Sequence, residues 1–138
     1  MTDKQKNILK AALILFAEQG YAATSTSKVA KEAGVSEGLI FRHYQNKEGL
    51  LNAVYAAGKT KIKELYAPIL KLEHPKVFLK QLMSVPFLIK DDNISLWRFF
   101  YNQQWYDPKL YRFTTKELYD RVFDLEKICL ETNSKHVE

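Results

Sequence analysis

Thr24 to Leu51 reads TSTSKVAKEAGVSEGLIFRHYQNKEGLL, and the reading of this stretch decides the fold. Two short helical patterns lie in it, separated by a glycine. The first places Val29, Ala30 and Ala33 on one helix face. Gly34 supplies the backbone freedom for a sharp turn, and Val35 is placed to plug the angle between the helices. Ser36 offers a side-chain oxygen to cap the next helix, which carries Leu39, Ile40 and Tyr44. Helix, Gly-containing turn, second helix: this is a helix-turn-helix, whose second helix is sized for the major groove of DNA.

An αα-corner in any helical protein has similar spacing, so the charged residues carry the next step. Arg42 and His43 fall on faces of the second helix that packing does not need. Lys47 stands in the first turn of the following helix, after Asn46 as its cap. A cation there opposes the helix dipole unless it meets an anion, and DNA phosphate is such an anion.

Outward from this stretch the pattern stays helical. Thr2-Asp3-Lys4-Gln5 fits a capping box, Ile8, Ala12, Leu15 and Phe16 form a stripe, and Gly20 ends the first helix. Thr24, Ser25 and Thr26 make a hydroxyl cluster before the second helix, where one of them must be the cap. The helix from Lys47 runs through Leu50, Leu51, Val54, Tyr55, Ile62 and Leu65 and is expected to end before Pro68. His74-Pro75 opens a helix with Val77, Phe78, Leu82 and Met83 as its apolar residues, to be kinked or ended by Pro86. Asp91, Asp92 and Asn93 read as a connection. Ile94 to Trp105 reads as another helix, and Asp107-Pro108 starts a last one reaching about Thr132. The expected fold is all-α, with a DNA-binding head over residues 1–46 and a helical regulatory body over 47–138.

With 138 residues and 46% apolar content, the chain suits a folded headpiece on a helical body. The net charge of +5 leans toward anionic partners, and the front holds more of the excess: residues 1–60 carry eight Lys/Arg against five Asp/Glu. Cys129 is the single cysteine, so no intrachain disulfide forms and a cytoplasmic location is expected. Neither a signal peptide nor a membrane-length apolar run is present.

The residues Gly20-Tyr21, Thr24-Ser25, Val29-Ala30, Ala33-Gly34-Val35-Ser36, Gly38, Leu39-Ile40-Phe41, His43-Tyr44, Lys47 and Leu50 resemble the N-terminal signature of tetracycline-repressor-like (TetR) regulators, over roughly residues 5–55. The resemblance makes Thr24, Ser25 and Ser27 candidates for backbone phosphate contacts at a helix N-terminus. On the recognition helix, from about Glu37 to Tyr44, Glu37 can accept from a cytosine amino group and Gly38 allows close approach. Leu39 can touch a thymine methyl, and Arg42 has the fork that suits guanine or phosphate. His43 and Lys47 are expected on phosphate. Phe41 departs from the family pattern, where tyrosine is usual and its hydroxyl reaches a phosphate.

The resemblance also implies a homodimer on a partly palindromic operator and a body that encloses a small apolar or aromatic effector. Repression is the expected sign. Aromatics crowd the body, and Phe99, Phe100 and Tyr101 are consecutive, so some are expected to face a ligand cavity or a partner. Trp97, Tyr101 and Trp105 share a face at i, i+4 and i+8 and are the candidate ligand residues. Family members usually continue for two more long helices that form the dimer interface, so a shortened regulator or a fragment is expected.

Nothing recommends catalysis. His43, His74 and His136 lie in separate segments without metal-ligand spacing, and no Gly-rich phosphate loop occurs. No enzyme, metal or cofactor is expected. One competing reading is a truncated interaction module that pairs with a longer homologue and binds DNA weakly or not at all. Another is a small helical ligand-binding protein, which would have no use for an unpaired Arg42, His43 and Lys47.

Overall fold

The computed structural model describes residues 1–85, 91–104, 116 and 118–129. These residues are all-α: α1 (Asp3–Gln19), α2 (Thr26–Ala33), α3 (Glu37–Tyr44), α4 (Lys47–Leu70), α5 (Pro75–Ser84) and α6 (Asp91–Gln104), followed by helical residues over 118–129. The chain divides into two compact units, residues 1–60 with 90–103 and residues 61–89 with 104–138.

In the first unit the helix ends are fixed by local chemistry. Thr2 and Gln5 form the capping box of α1, and Gly20 closes that helix at φ 82°. Ser25 caps α2 by accepting from the Lys28 N–H, and Gly34 ends it in the left-handed region. Ser36 occupies the cap position of α3 but makes no side-chain cap bond, contrary to the reading of its sequence position. Asn46 does cap α4, its Oδ1 accepting from the Gly49 N–H at 2.7 Å.

The core of this unit joins Ile8, Ala12, Leu15 and Phe16 of α1 with Val29 and Ala30 of α2, Ile40 of α3, and Leu50 and Val54 of α4. Helix α6 completes it. Phe99 packs 6.4 Å from Phe16 and 5.2 Å from Tyr55, centroid to centroid. Phe100 sets its ring edge-on to both Phe99 and Tyr55, at 5.5 and 6.0 Å, and sits over Gly58, where any Cβ would collide with that ring and lie 2.9 Å from Leu96 Cδ1. Both adjacent phenylalanines are therefore buried, and the side chain of Tyr101, third in the run, lies outside the described residues.

The second unit contains the end of α4. That helix runs through Pro68 to Leu70, because a proline in the last turn breaks only one ladder bond. Pro75 occupies the first turn of α5, and Phe78 is its buried side chain, while Val77 and Met83 stay exposed. Arg121 donates to the Leu72 carbonyl at 2.7 Å, tying the last described helix to the chain between α4 and α5. The expected segments around Pro86 and Asp107-Pro108 lie outside the described residues.

Candidate nucleic-acid interface

Helix α3 is short and buries one side chain fully, Ile40. Its opposite face shows Gly38, Phe41, Arg42 and His43 to solvent. A Cβ at Gly38 would meet nothing within 4 Å, so the helix backbone itself is open to approach. Phe41 is 47% exposed, an unusual position for a large apolar ring that has no core to join.

Three contacts hold this face in place. Across the turn, the Thr26 hydroxyl donates to Glu37 Oε1 at 2.6 Å, linking the first residues of α2 and α3. From α1, Gln5 Nε2 lies 3.3 Å from His43 Nδ1, and the Tyr44 hydroxyl donates to the Gln5 carbonyl at 3.4 Å. Burial raises the Tyr44 phenol above its ordinary value, so the group stays a neutral donor. At the far end, Gln45 takes φ 68° and ψ −47° while the Asn46 N–H bonds the Tyr44 carbonyl at 2.8 Å. This is a γ-turn, a strained geometry for a residue with a side chain. The Tyr44 carbonyl also lies so close to Gly49 that no side chain fits there.

The expected contact residues separate under this geometry. Thr24 is turned inward. It is 1% exposed, and its hydroxyl donates inward to the Gly20 carbonyl at 2.9 Å and toward Leu15 at 3.3 Å, so its side chain is not presented to a phosphate. Ser25 and Ser27 remain exposed at the start of α2, Ser25 also as its cap. Glu37 and Leu39 are half-buried, and Glu37 has one carboxylate oxygen engaged by Thr26. Gly38, Arg42 and His43 are exposed.

Lys47 is not unpaired. Its ammonium donates to the Ala22 carbonyl at 3.3 Å and lies 4.3 Å from the Tyr21 ring centroid, which offsets the unfavourable first-turn charge. His43 likewise has Gln5 as a partner. The roles of Gln5, Thr26 and Tyr21 could not be read from their sequence positions, because each acts on a residue from another helix.

Trp97, of the expected ligand residues, is half-buried in α6. The Tyr101 side chain and Trp105 lie outside the described residues. In the second unit an apolar cavity of about 370 Å³ opens between α5 and residues 122–129, lined by Pro75, Phe78, Leu79, Val122, Leu125 and Cys129 among others. Among the described residues no cluster of His, Cys, Asp or Glu has the form of a metal site, and no helix is long and apolar enough to cross a membrane.

An exposed short helix, presented by a left-handed glycine turn and braced from two sides, defines a helix-turn-helix head. Residues 8–54 match the family model described as bacterial regulatory proteins, tetR family, so this head is similar to the heads of those regulators. The uncharacterized HTH-type transcriptional regulator YvkB of Bacillus subtilis is 35% identical over 107 residues, covering 66% of this chain and 57% of that protein. The fatty acid metabolism regulator protein of the same organism is 40% identical over 52 residues, 38% of this chain and 27% of its own. A solved TetR family transcription regulator from Marinobacter aquaeolei VT8 shares the fold at TM-score 0.68 and 22% identity, over 96% of this chain and 69% of that one. The chain thus spans less than two thirds of the length of these two curated relatives.

Proposed function

We propose that this chain is a non-enzymatic, DNA-binding transcriptional regulator that represses by occupying a partly palindromic operator as a homodimer. The observation that carries the reading is the solvent-facing side of α3, with Gly38, Phe41, Arg42 and His43 exposed on a helix clamped by Thr26–Glu37 and Gln5–His43. A helix braced in this way meets a groove without ordering cost at its backbone. Arg42, Leu39, Gly38 and the free edge of Glu37 would meet bases, while Ser25, Ser27, His43 and Lys47 would meet phosphates.

Effector control is the second half of the proposal. The apolar cavity of about 370 Å³ in the second unit is within the range of small-ligand sites and has almost no polar lining. An acyl chain or an aromatic compound would suit it, and one similar protein is named a fatty acid metabolism regulator. Trp97, in the first unit, stays a separate candidate for effector contact.

The test is selection of bound sequences from random duplexes, with salt varied, followed by titration of a saturated fatty acid into the complex. Enrichment of a palindrome is the expected result. A single half-site would remove the dimer, and no enrichment at low salt would remove DNA binding.

A further inference from the structure

We propose that Gln5, in the first turn of α1, is a positioning residue for DNA contact: it holds His43 in the tautomer whose Nε2–H is the donor offered to a phosphate. The proposal rests on the DNA-binding reading of α3. Its argument begins with the orientation of one amide. The Thr2 backbone N–H donates to the Gln5 side chain at 2.8 Å, and a backbone N–H has no acceptor character, so the atom it meets is Oε1. The other end of the amide, Nε2, then faces His43 Nδ1 at 3.3 Å. Nε2 only donates. Nδ1 must therefore be the unprotonated acceptor, and in the neutral ring the proton sits on Nε2.

The ring is exposed, as is Arg42, its neighbour on α3. With Nδ1 occupied by α1, the Nε2–H is the hydrogen-bonding edge left to an incoming anion. The backbone is fixed as well, since the adjacent Tyr44 hydroxyl donates to the carbonyl of the same Gln5. One glutamine thus closes the capping box of its own helix, orients the imidazole and anchors the next residue of α3. The ionisable neighbours in sequence are Asp3, Lys4 and Lys6 on α1 and Arg42 and Tyr44 on α3. Asp3 is engaged by Lys6 at 3.5 Å.

The test uses the full chain at pH 8, above the ordinary imidazole range. Gln5→Glu keeps an acceptor for the Thr2 N–H but replaces the donor facing His43 by an acceptor. Ring nitrogen-15 spectra should show Nδ1 bare in the wild type and the neutral-ring proton moved to Nδ1 in Gln5→Glu. An unchanged tautomer overturns the positioning role. On a random-sequence duplex at low salt, Gln5→Met and His43→Ala should each weaken binding by about tenfold, and the double variant by no more than that. Additive losses would mean that Gln5 acts independently of His43. Thr2→Ala controls for helix capping: it should lower Tm and leave duplex affinity in place, and a loss equal to that of Gln5→Met would assign the effect to the cap. A tautomer switch without any duplex binding by the wild type overturns the phosphate role together with the DNA reading. Wild-type binding without the switch overturns the positioning role alone.

Discussion

Thr26 and Glu37 share a 2.6 Å hydrogen bond across the turn of the helix-turn-helix, each at the first residue of its helix. The acceptor is an ionised carboxylate, which makes the bond charge-assisted and short. It sets the angle between α2 and α3 where Gly34 leaves the backbone most free.

Thr26→Val keeps the shape and removes the donor. The expected cost is about 1 kcal/mol, below the full charge-assisted figure because the pair is only partly buried. Chemical denaturation of the two proteins measures it, and an unchanged midpoint would mean that the turn is set by packing alone.

Arg42 and Lys47 should differ in how they contribute to binding. Arg42→Ala is expected to relax preference at one base position by about 1–3 kcal/mol. Lys47→Met is expected to weaken every duplex alike and to lower the salt slope by about one. Equal loss on all sequences for Arg42→Ala would move that residue to the phosphate group. An unchanged slope for Lys47→Met would leave Lys47 as a brace on Tyr21 and Ala22 only.

Gln45 holds a positive φ that a side chain resists. Gln45→Gly should stabilise the corner between α3 and α4 by about 1 kcal/mol, read as a higher denaturation midpoint. Destabilisation would show that the glutamine side chain makes a compensating contact.

Tyr44 and Tyr66 both have pKa values raised above 10.0 by burial. A raised folded-state value means that the unfolded chain loses its phenol protons first, so stability is fully present below about pH 10 and falls as pH rises through the folded value. Denaturation midpoints across the alkaline range should fall less steeply in Tyr44→Phe, which has no proton to lose at that position. Equal slopes would place the alkaline loss elsewhere.

What was legible in the sequence was local. The capping box at Thr2 and Gln5, the stops at Gly20 and Gly34, and the cap at Asn46 depend on residues within one turn of each other. Thr24 shows where that ended. Three consecutive hydroxyls look equivalent in sequence, and only the path of residues 21–25 back across α1 turns Thr24 inward to Gly20 and Leu15. Lys47 was legible as a misplaced cation but not its remedy, because Ala22 and Tyr21 lie on the far side of the helix-turn-helix in sequence. The packing of Phe99 and Phe100 was hidden for a related reason. The two rings pack edge to face 5.5 Å apart, and both are buried because Phe16 and Tyr55 flank one while Tyr55 and Gly58 receive the other.

The bare backbone at Gly58 also limits how α4 moves against α6. The notch that admits Phe100 is the bare backbone of Gly58, with Tyr55 a turn earlier beside the same ring. Sliding α4 along its axis would bring a side chain to the ring where Gly58 has none, so translation meets a steric wall. Rotation about the seated ring displaces far fewer atoms. The seated ring therefore leaves α4 freer to tilt against α6 than to slide along it.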